Sequence, residues 1–497
     1  MRVARSSDTK LDLRISRPDA CYIPLVRELV RQHPRFFFWT TLAAVALRLL
    51  FVCLSPQVTE DSRIYADIAN NWLSHGIYGT TEAGRVIPTY IRLPGYPAFL
   101  AIIFAIFGKD NFRAVLLIQI LIDVGTCFVI ADLARRTTSL ADGSHPGTRS
   151  YKASKFAFLA AAVCPFFANY AGAVLTETLE IFMTALALDF AVVGLESVAE
   201  GRLNVRAAIA CGLAIAAAIL LRPDGGILLI AVEAYLAFLL FAPTAANSRR
   251  NTRHLLYMGV TVAIVAVAPL IPWTLRNLQT MHRFEPLTPR YANNPGDYVP
   301  LGFNRWVKTW MADYVSVQEI YWQEPGEEID ASKLPSRAFD SPEQKQRTIE
   351  VLNRYNQGKE IDERLDAQFA ALADKRIHSA PLRYYLWLPL LRIADMWLRP
   401  RTELTQADPR WWEFNDDLKY SILSVAFGAI NLIYILIACG SLARGPALRW
   451  LGLFVVFIAI RSAFLGTLEN PETRYTLECY PVLIVFAATW RLHAKEG

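Results

Sequence analysis

The amino-acid sequence predicts an all-α, polytopic membrane protein with about ten transmembrane helices. Its 497 residues are 54% hydrophobic and 19% charged, which is less charge than soluble domains usually carry. The apolar residues gather into segments of roughly 20, the length that a helix needs to cross the hydrocarbon core of a bilayer. We predict spans near residues 36–55, 112–133, 156–170, 179–195, 207–221, 227–241, 255–275, 418–439, 450–465 and 477–490.

The apolar run at residues 96–107 is too short to cross a bilayer and predicts a helix that lies at the interface. When this run is kept out of the bilayer, the basic loops at 135–155, 198–206 and 244–254 all fall on one side. The positive-inside rule makes that side cytoplasmic. We therefore expect a multi-pass protein of the inner, or plasma, membrane with both termini in the cytoplasm.

This topology divides the chain into four regions. Within the long external loop at 279–417, Ser341 followed by Pro342 predicts the start of a helix that stops at Gly358. A second helix is expected at 361–377. An interfacial helix is expected at 382–398. The regions are residues 1–35 (cytoplasmic tail), 36–278 (transmembrane module with a first external loop at 56–111), 279–417 (long external loop) and 418–497 (last spans and a short cytoplasmic tail).

Composition and motifs exclude several classes of function. The net charge of +6 arises mainly in short loops, so it indicates orientation and not nucleic-acid binding. Most of the seven cysteines are isolated in apolar segments, which indicates neither a disulfide framework nor a zinc site. The chain has no Walker motif and no Gly-x-Gly-x-x-Gly after a strand, so a bound nucleotide is not expected. We predict no metal ligands and leave a divalent cation open as a cofactor.

The polar stretch after the first span carries the motifs around which the chain is organised. Asp61 and Tyr65 are four residues apart and would share a helix face, and Arg92 opens the motif Arg-Leu-Pro-Gly-Tyr-Pro. This order of motifs resembles the first external loop of the GT-C membrane glycosyltransferases. Within that class it is most similar to the protein O-mannosyltransferase and lipid A aminoarabinose transferase groups, so the resemblance implies the GT-C fold.

The resemblance also implies two acidic residues at a reaction centre. Asp61 would act as a general base toward an acceptor hydroxyl or amine, and partial desolvation would raise its pKa. Glu177, between two spans, would orient the acceptor or assist Asp61. From the residues alone, both positions are also explained by helix N-capping: Asp61 would cap a helix, with Ser62 sharing the role, and Thr176 or Thr178 would cap the helix that begins near Glu177.

Four arginines at the external ends of predicted spans are candidates for binding a lipid phosphate, because guanidinium groups donate paired hydrogen bonds to phosphate oxygens. Arg92 and Arg474, the latter within Glu-Thr-Arg-Tyr, match the family patterns best. Arg222, in Arg-Pro-Asp, also recurs in such enzymes, and Arg276 is the fourth. Each of them is also explained by ordinary snorkelling at the interface.

Three tyrosines, Tyr65, Tyr96 and Tyr475, would pack against the sugar or the prenyl chain, although aromatic residues are common at membrane interfaces without any ligand. The resemblance implies an inverting transferase that moves a monosaccharide from a polyprenyl-phosphate sugar to a lipid, glycan or protein acceptor on the external, periplasmic face. Two alternatives remain open. One is a transporter or flippase of a lipid-linked or anionic solute, and the other is an enzyme that transfers a preassembled glycan.

Overall fold

The computed structural model describes residues 30–138, 147–241, 249–414, 418–445 and 448–490. Most of the predicted N-terminal tail, and the C-terminal tail, lie outside these residues. In chain order, the helices and strands are α1 (Pro34–Leu54), α2 (Glu60–His75), β1 (Gly79–Glu82), β2 (Arg85–Pro88), α3 (Gly95–Phe107), α4 (Phe112–Thr137), α5 (Gly147–Ala162), α6 (Pro165–Ala171), α7 (Glu177–Ala199), α8 (Val205–Leu221), α9 (Gly226–Phe241), α10 (Arg249–Val267), α11 (Leu270–Met281), α12 (Leu301–Lys308), α13 (Tyr314–Glu319), α14 (Pro342–Gly358), α15 (Glu363–Ser379), α16 (Leu388–Leu398), α17 (Leu418–Ala443), α18 (Leu451–Leu465) and α19 (Tyr480–Ala488).

The helical bundle confirms the prediction of a polytopic, nearly all-helical membrane protein. Within the described residues, six helical stretches are long and apolar enough to cross a membrane, and three shorter apolar helices accompany them. The short run predicted to lie outside the bilayer is α3, with 13 residues. The count of about ten spans stays a prediction.

Two predicted spans are each broken into two helices by a proline. The span at 156–170 is divided between α5 and α6, and Pro165 stands at the start of α6. The span at 255–275 is divided between α10 and α11, with Pro269 as the N-cap of α11. Proline lacks the N–H that a continuous helix requires and clashes with the preceding turn, which explains both breaks.

A β-hairpin that the sequence did not predict follows α2. Strands β1 and β2 pair antiparallel, and the connecting residues Ala83 and Gly84 both have positive φ, as a tight hairpin turn requires. The hairpin is fixed to α2 because the Asp67 carboxylate accepts hydrogen bonds from the backbone N–H of Thr81 at 2.6 Å and from its hydroxyl at 2.8 Å.

The long loop folds around an apolar cluster of its own, which contains Trp306, Trp310 and Phe369. The helix predicted from Ser341 is confirmed as α14, and the Ser341 hydroxyl caps it by accepting from the N–H of Gln344. The second predicted helix is α15, whose N-cap is Asp362. The predicted helix at 382–398 begins with a π-helical turn at Arg383–Trp387 and continues as α16.

Arg392, on α16, anchors the long loop to the bundle. Its guanidinium donates to the carbonyl oxygens of Met311 at 2.9 Å and Lys308 at 2.5 Å, and to that of Gly466 at 3.1 Å. Because Gly466 directly follows α18, the long loop lies against the same end of the bundle as the segment at 467–479. We call this end of the bundle, which also carries α2 and the hairpin, the loop end.

A buried ion pair joins three helices of the bundle. Arg48 of α1 donates through Nε to Asp123 of α4 at 2.6 Å, and their side chains are 0% and 1% exposed. The same guanidinium donates to the carbonyl oxygens of Ala161 at 3.1 Å and of Ala162, both in α5. Arg48 therefore faces protein and not lipid.

Replacing Arg48 with leucine should lower the free energy of unfolding by about 3–5 kcal/mol, because Asp123 would be left as an unpaired buried charge. Thermal unfolding of the purified protein in detergent measures this. The double variant Arg48→Leu/Asp123→Leu should recover much of the loss, since it removes both charges. A single variant as stable as the wild type would contradict the prediction.

Candidate active site

Helix α2 begins without using the Asp61 side chain as a cap. Thr59 is the N-cap: its hydroxyl accepts from the N–H of Ser62, and the Ser62 hydroxyl accepts from the N–H of Thr59 in return. The Ser62 hydroxyl also donates to the carbonyl oxygen of Val174 at 2.7 Å, which fixes α2 to the segment before α7. The alternative in which Asp61 caps the helix is therefore wrong, and a capping role falls to Ser62.

Arg92 is the first partner of Asp61. Its Nη2 donates to Asp61 Oδ1 at 2.8 Å, and its guanidinium lies 5.7 Å from the ring centroid of Tyr65. The hydroxyl of Tyr78 donates to the carbonyl oxygen of Arg92 at 2.8 Å. The hairpin region thus holds the arginine of the Arg-Leu-Pro-Gly-Tyr-Pro motif against the carboxylate of α2.

Arg474 lies between three carboxylates. Its Nη2 is 3.9 Å from Asp61 Oδ2, its Nη1 is 3.4 Å from Glu177 Oε1, and its Nε is 2.7 Å from Glu472 Oε2. The first acid belongs to α2, the second to α7 and the third to the loop after α18. A single guanidinium therefore connects three parts of the chain that are far apart in sequence.

Glu177 is the first residue of α7 and is 1% exposed. Thr176 stands at the N-cap, but its side chain makes no capping hydrogen bond. Oε1 of Glu177 accepts from Arg222 at 3.3 Å, whereas Oε2 has no hydrogen-bond partner among the described residues. An acid buried in this way is costly unless it is paired, and Arg222 and Arg474 supply the pairing.

Arg222 follows α8 in an extended conformation at the start of the Pro223–Gly225 turn. Its Nε pairs with Asp224 at 3.3 Å, and its guanidinium lies 4.9 Å from the ring centroid of Tyr475. A Cβ on Gly225 would lie 2.4 Å from the carbonyl carbon of Ala218, so this turn packs too closely for any side chain there. The Tyr475 hydroxyl donates to Glu472 at 2.5 Å.

The sequence analysis missed a second row of charges behind this site. Arg461 of α18 donates to Asp224 Oδ2 at 3.0 Å and to the carbonyl oxygen of Tyr475 at 3.0 Å, and it forms an ion pair with Glu478. Arg461 and Glu478 are 2% and 1% exposed. The available signal was the occurrence of both ionisable residues within predicted spans, where such residues rarely occur without a function or a partner.

Two of the predicted binding residues lie apart from the cluster. Tyr96 is fully buried, and its hydroxyl donates to Gln119 at 2.8 Å, so its ring supports Tyr65 at a centroid distance of 5.0 Å. The guanidinium of Arg276 donates to the carbonyl oxygens of Thr89 at 2.7 Å and Tyr78 at 2.6 Å. Arg276 therefore ties the hairpin region to α11 and lines a neighbouring cavity of about 680 Å³.

The structure brings seven of the predicted residues into one group, which we call the charged cluster. Arg92, Arg222 and Arg474 supply its cations, and their side chains are 21%, 19% and 18% exposed. The group opens to solvent at Asp61, whose side chain is 35% exposed. Its members are Asp61, Tyr65, Arg92, Glu177, Arg222, Arg474 and Tyr475.

The pKa of Asp61 is shifted in the opposite direction to the one expected. Burial raises the pKa of this carboxyl, but the positive charges of Arg92, Arg474 and Arg222, with the hydrogen bond from Arg92, outweigh burial and hold it below its ordinary value. The expectation of a raised pKa is wrong, because the sequence did not show that three guanidinium groups converge on this residue. Asp61 is therefore ionised at neutral pH and is available to accept a proton.

A divalent cation between Asp61 and Glu177 would have to occupy the region where the Arg474 guanidinium lies. Among the described residues, no group of three or more His, Cys, Asp or Glu side chains is arranged to hold a metal ion. The residues present here do not fit a metal, and in this arrangement the positive charge between the two carboxylates comes from Arg474.

The protein is thus a polytopic membrane protein with the GT-C fold and a charged cluster at the loop end of its bundle. Residues 92–273 match the family model of dolichyl-phosphate-mannose-protein mannosyltransferases. The match contains Arg92, Glu177 and Arg222, whereas Asp61 and Arg474 lie outside it. The resemblance found from the sequence motifs is confirmed by this match and by the fold.

The fold is similar to that of a solved structure. The archaeal oligosaccharyltransferase AglB from Archaeoglobus fulgidus, in complex with an inhibitory peptide and a dolichol-phosphate, is similar with a TM-score of 0.50 and 13% identity, over 93% of this chain and 50% of AglB. The chain thus spans half the length of AglB. ArnT from Cupriavidus metallidurans, bound to undecaprenyl phosphate, gives a TM-score of 0.38 and 14% identity, over 90% of this chain and 77% of ArnT. No curated protein sequence matches the chain.

The contribution of Asp61 to stability should depend on pH only in acid. Because its folded-state pKa is lowered, the contribution is present above the unfolded value of about 3.9 and is lost as the pH falls through the folded pKa. We expect the difference in melting temperature between the wild type and Asp61→Asn to be constant at neutral pH and to shrink only below about pH 3.9. A difference that already shrinks near neutral pH would show a raised pKa and contradict the structure.

Proposed function

We propose that this protein is an inverting glycosyltransferase that moves a monosaccharide from a polyprenyl-phosphate donor to an acceptor hydroxyl or amine. The observation that carries the proposal is the position of the ionised Asp61 carboxylate, which is partly exposed and surrounded by Arg92, Arg222 and Arg474. A carboxylate at the mouth of a cationic site combines a proton acceptor with groups that stabilise an anionic leaving group.

The reaction needs one bond to form and one to break at the anomeric carbon. Asp61 takes the proton of the acceptor as the acceptor oxygen or nitrogen attacks that carbon from the side opposite the lipid phosphate. The bond between the anomeric carbon and the phosphate oxygen breaks, and the phosphate leaves with the electron pair. One attack in line gives inversion.

The arginines stabilise the leaving phosphate as its negative charge develops. A guanidinium has five N–H donors, and the carboxylate contacts of Arg92 and Arg222 use only part of them. Both groups can therefore donate to a phosphate while they stay beside their carboxylates. Glu177 keeps Arg222 and Arg474 at a fixed separation, since it contacts both at 3.3 and 3.4 Å.

The cavity beside the charged cluster suits the prenyl chain of the donor. It has a volume of about 680 Å³ and is walled by apolar groups that include Trp72, Pro94, Leu220 and Trp273. Pro94 and Leu220 are each two residues from an arginine of the cluster, Arg92 and Arg222. A chain in this cavity would present its phosphate to those arginines. AglB, which shares the fold, was solved with a dolichol-phosphate, a lipid of this class.

The proposal includes an orientation. The basic loops between the spans support an orientation with both termini in the cytoplasm of an inner-membrane protein, in which the loop end would face the periplasm. The donor would be taken from the outer leaflet. The transporter alternative requires charged groups that line a path through the bundle, whereas Arg48 and Asp123 are paired with each other between helices.

Substituting Asp61 with asparagine tests the proposal. We expect transfer to fall by at least about 10²–10⁴-fold, the usual contribution of a general base, because the amide keeps the shape but cannot accept the proton. The matched control is Glu60→Gln, which alters the exposed neighbouring acid of the same helix turn. The measurement is the rate at which membranes or purified protein release polyprenyl phosphate from a radiolabelled polyprenyl-phosphate sugar in the presence of acceptor. Equal activity of Asp61→Asn and Glu60→Gln would remove Asp61 from the mechanism.

A second substitution tests the position of the prenyl chain. Leu220→Trp should fill part of the cavity and raise the KM for a long-chain donor by about tenfold, since one displaced isoprene unit is worth about 1.5–3 kcal/mol of apolar burial. A donor with a two-isoprene chain should be affected less. Leu213→Trp, at an exposed position of the same helix, is the control. Equal effects on long and short donors would place the chain elsewhere.

A further inference from the structure

A second cavity, of about 510 Å³, lies in the long loop beside α16. Its walls combine aliphatic side chains of α16 with two adjacent indoles and four charged side chains. We call it the tryptophan pocket and define it by Asp313, Arg337, Asp395, Arg399, Trp411 and Trp412.

The charges of the tryptophan pocket are balanced. Arg337 forms an ion pair with Asp313 and donates through Nε to the carbonyl oxygen of Trp310 at 3.0 Å. Arg399 lies 3.8 Å from Asp395. A phosphate or carboxylate ligand would meet two carboxylates as well as two guanidinium groups and would gain little. The pocket is therefore suited to a neutral ligand.

Two buried donor atoms of the tryptophan pocket lack a hydrogen-bond partner among the described residues. Arg399 is 8% exposed, and its Nε has no hydrogen-bond partner among the described residues. The indole Nε1 of Trp411 also lacks a hydrogen-bond partner among these residues. Asp395 accepts the N–H of Tyr314 through Oδ2 at 3.0 Å, and its Oδ1 faces Arg399 only at 3.8 Å. Buried polar groups almost always have partners in folded proteins, so the Nε–H of Arg399 and the Nε1–H of Trp411 are available to donate to a ligand.

The same walls offer flat apolar surface. The rings of Trp411 and Trp412 lie 5.7 Å apart at an interplanar angle of 85°, and Leu391 and Leu398 of α16 complete the apolar part. A ligand that fits must present C–H groups to indoles and also supply both donors and acceptors. A neutral sugar ring has this combination of C–H faces and hydroxyl groups, and a few placed polar groups in an apolar pocket are the usual means of fixing its orientation.

The tryptophan pocket adjoins the charged cluster through two connections. The guanidinium of Arg399 lies 5.7 Å from the ring centroid of Tyr314, and burial, with the negative charges of Glu472 and Glu403, raises the pKa of the Tyr314 hydroxyl. Arg401, two residues after Arg399, donates to the carbonyl oxygen of Thr473 at 2.6 Å. Thr473 directly precedes Arg474, so the segment that follows the pocket wall is hydrogen-bonded to the backbone that carries the central cation.

We propose that the tryptophan pocket binds a neutral saccharide that is part of the acceptor, beside the point where the donor sugar is transferred. This inference rests on the proposed function for its role in transfer, but the binding itself does not. It assigns the acceptor to the sugar-bearing glycans or glycolipids. A peptide is not favoured, because the strands of the described residues, β1 and β2, are not part of the pocket and no sheet edge is present there to pair with a peptide backbone.

Saturation-transfer NMR on the purified full chain tests the inference, with methyl glycosides of glucose, galactose, mannose, N-acetylglucosamine and arabinose as probes. We expect at least one probe to receive saturation from the wild type and Trp412→Ala to weaken its affinity by about tenfold or more. Trp412→Phe, which keeps an aromatic face, should lose less. Trp387→Ala, at an exposed tryptophan in the π-helical turn before α16, is the control and should bind as the wild type does.

The outcomes separate this inference from the proposed function. Binding that persists in Asp61→Asn while transfer is lost supports both. Binding in a wild type that never consumes a polyprenyl-phosphate sugar would retain the pocket and reject the transferase. Failure of every glycoside to bind, or equal binding by the wild type and Trp412→Ala, would overturn the inference. Displacement of a bound glycoside by a Ser/Thr-containing peptide would also overturn it, because it would point to a protein acceptor.

Discussion

The ion pairs of Arg474 are the interaction on which the loop end depends. One guanidinium faces acids from α2, from α7 and from the loop after α18. Removing any one of these partners would leave a charge in a largely desolvated place, which is unfavourable. The ion pairs therefore fix the positions of α2, α7 and the loop after α18 relative to one another, because each buried charge needs a partner.

A second layer makes this arrangement rigid. Arg461 reaches from α18 to Asp224, which also pairs with Arg222 of the cluster, and it fixes the backbone of Tyr475. The site thus has an outer set of partly exposed cations and, behind them, a buried cation that holds the Asp224 partner of Arg222 and the backbone next to Arg474. This division is common where charged groups must act without rearranging, because preorganised dipoles and charges cost nothing to reorient during a reaction.

The long loop has its own apolar core and is joined to the bundle by Arg392 and by the segment around Arg401. If the proposed function and the saccharide inference hold, this loop supplies the acceptor while the bundle supplies the donor. The two substrates would then meet at Asp61, the most exposed carboxylate of the charged cluster. Apolar side chains exposed before and along α16, such as Trp387 and Leu390, suit contact with the membrane surface.

The sequence by itself determined the class of fold, most of the helix positions and the residues of the charged cluster. Apolar segments of membrane-spanning length are a property of local composition, and the Asp61, Arg92 and Glu177 motifs are short and contiguous. The start of α14 is also a local signal, since Ser341 and Pro342 are neighbours in the chain.

Only the tertiary structure decided which charges meet. Asp61 and Arg474 are separated by most of the chain, so neither their contact nor the resulting direction of the Asp61 pKa was visible in the sequence. The same holds for Tyr96 and Arg276, whose partners make them supports of the site, and for Arg461, which was hidden within an apolar span. Electrostatic interaction depends on distance in space, and that distance is set by packing between segments remote in sequence.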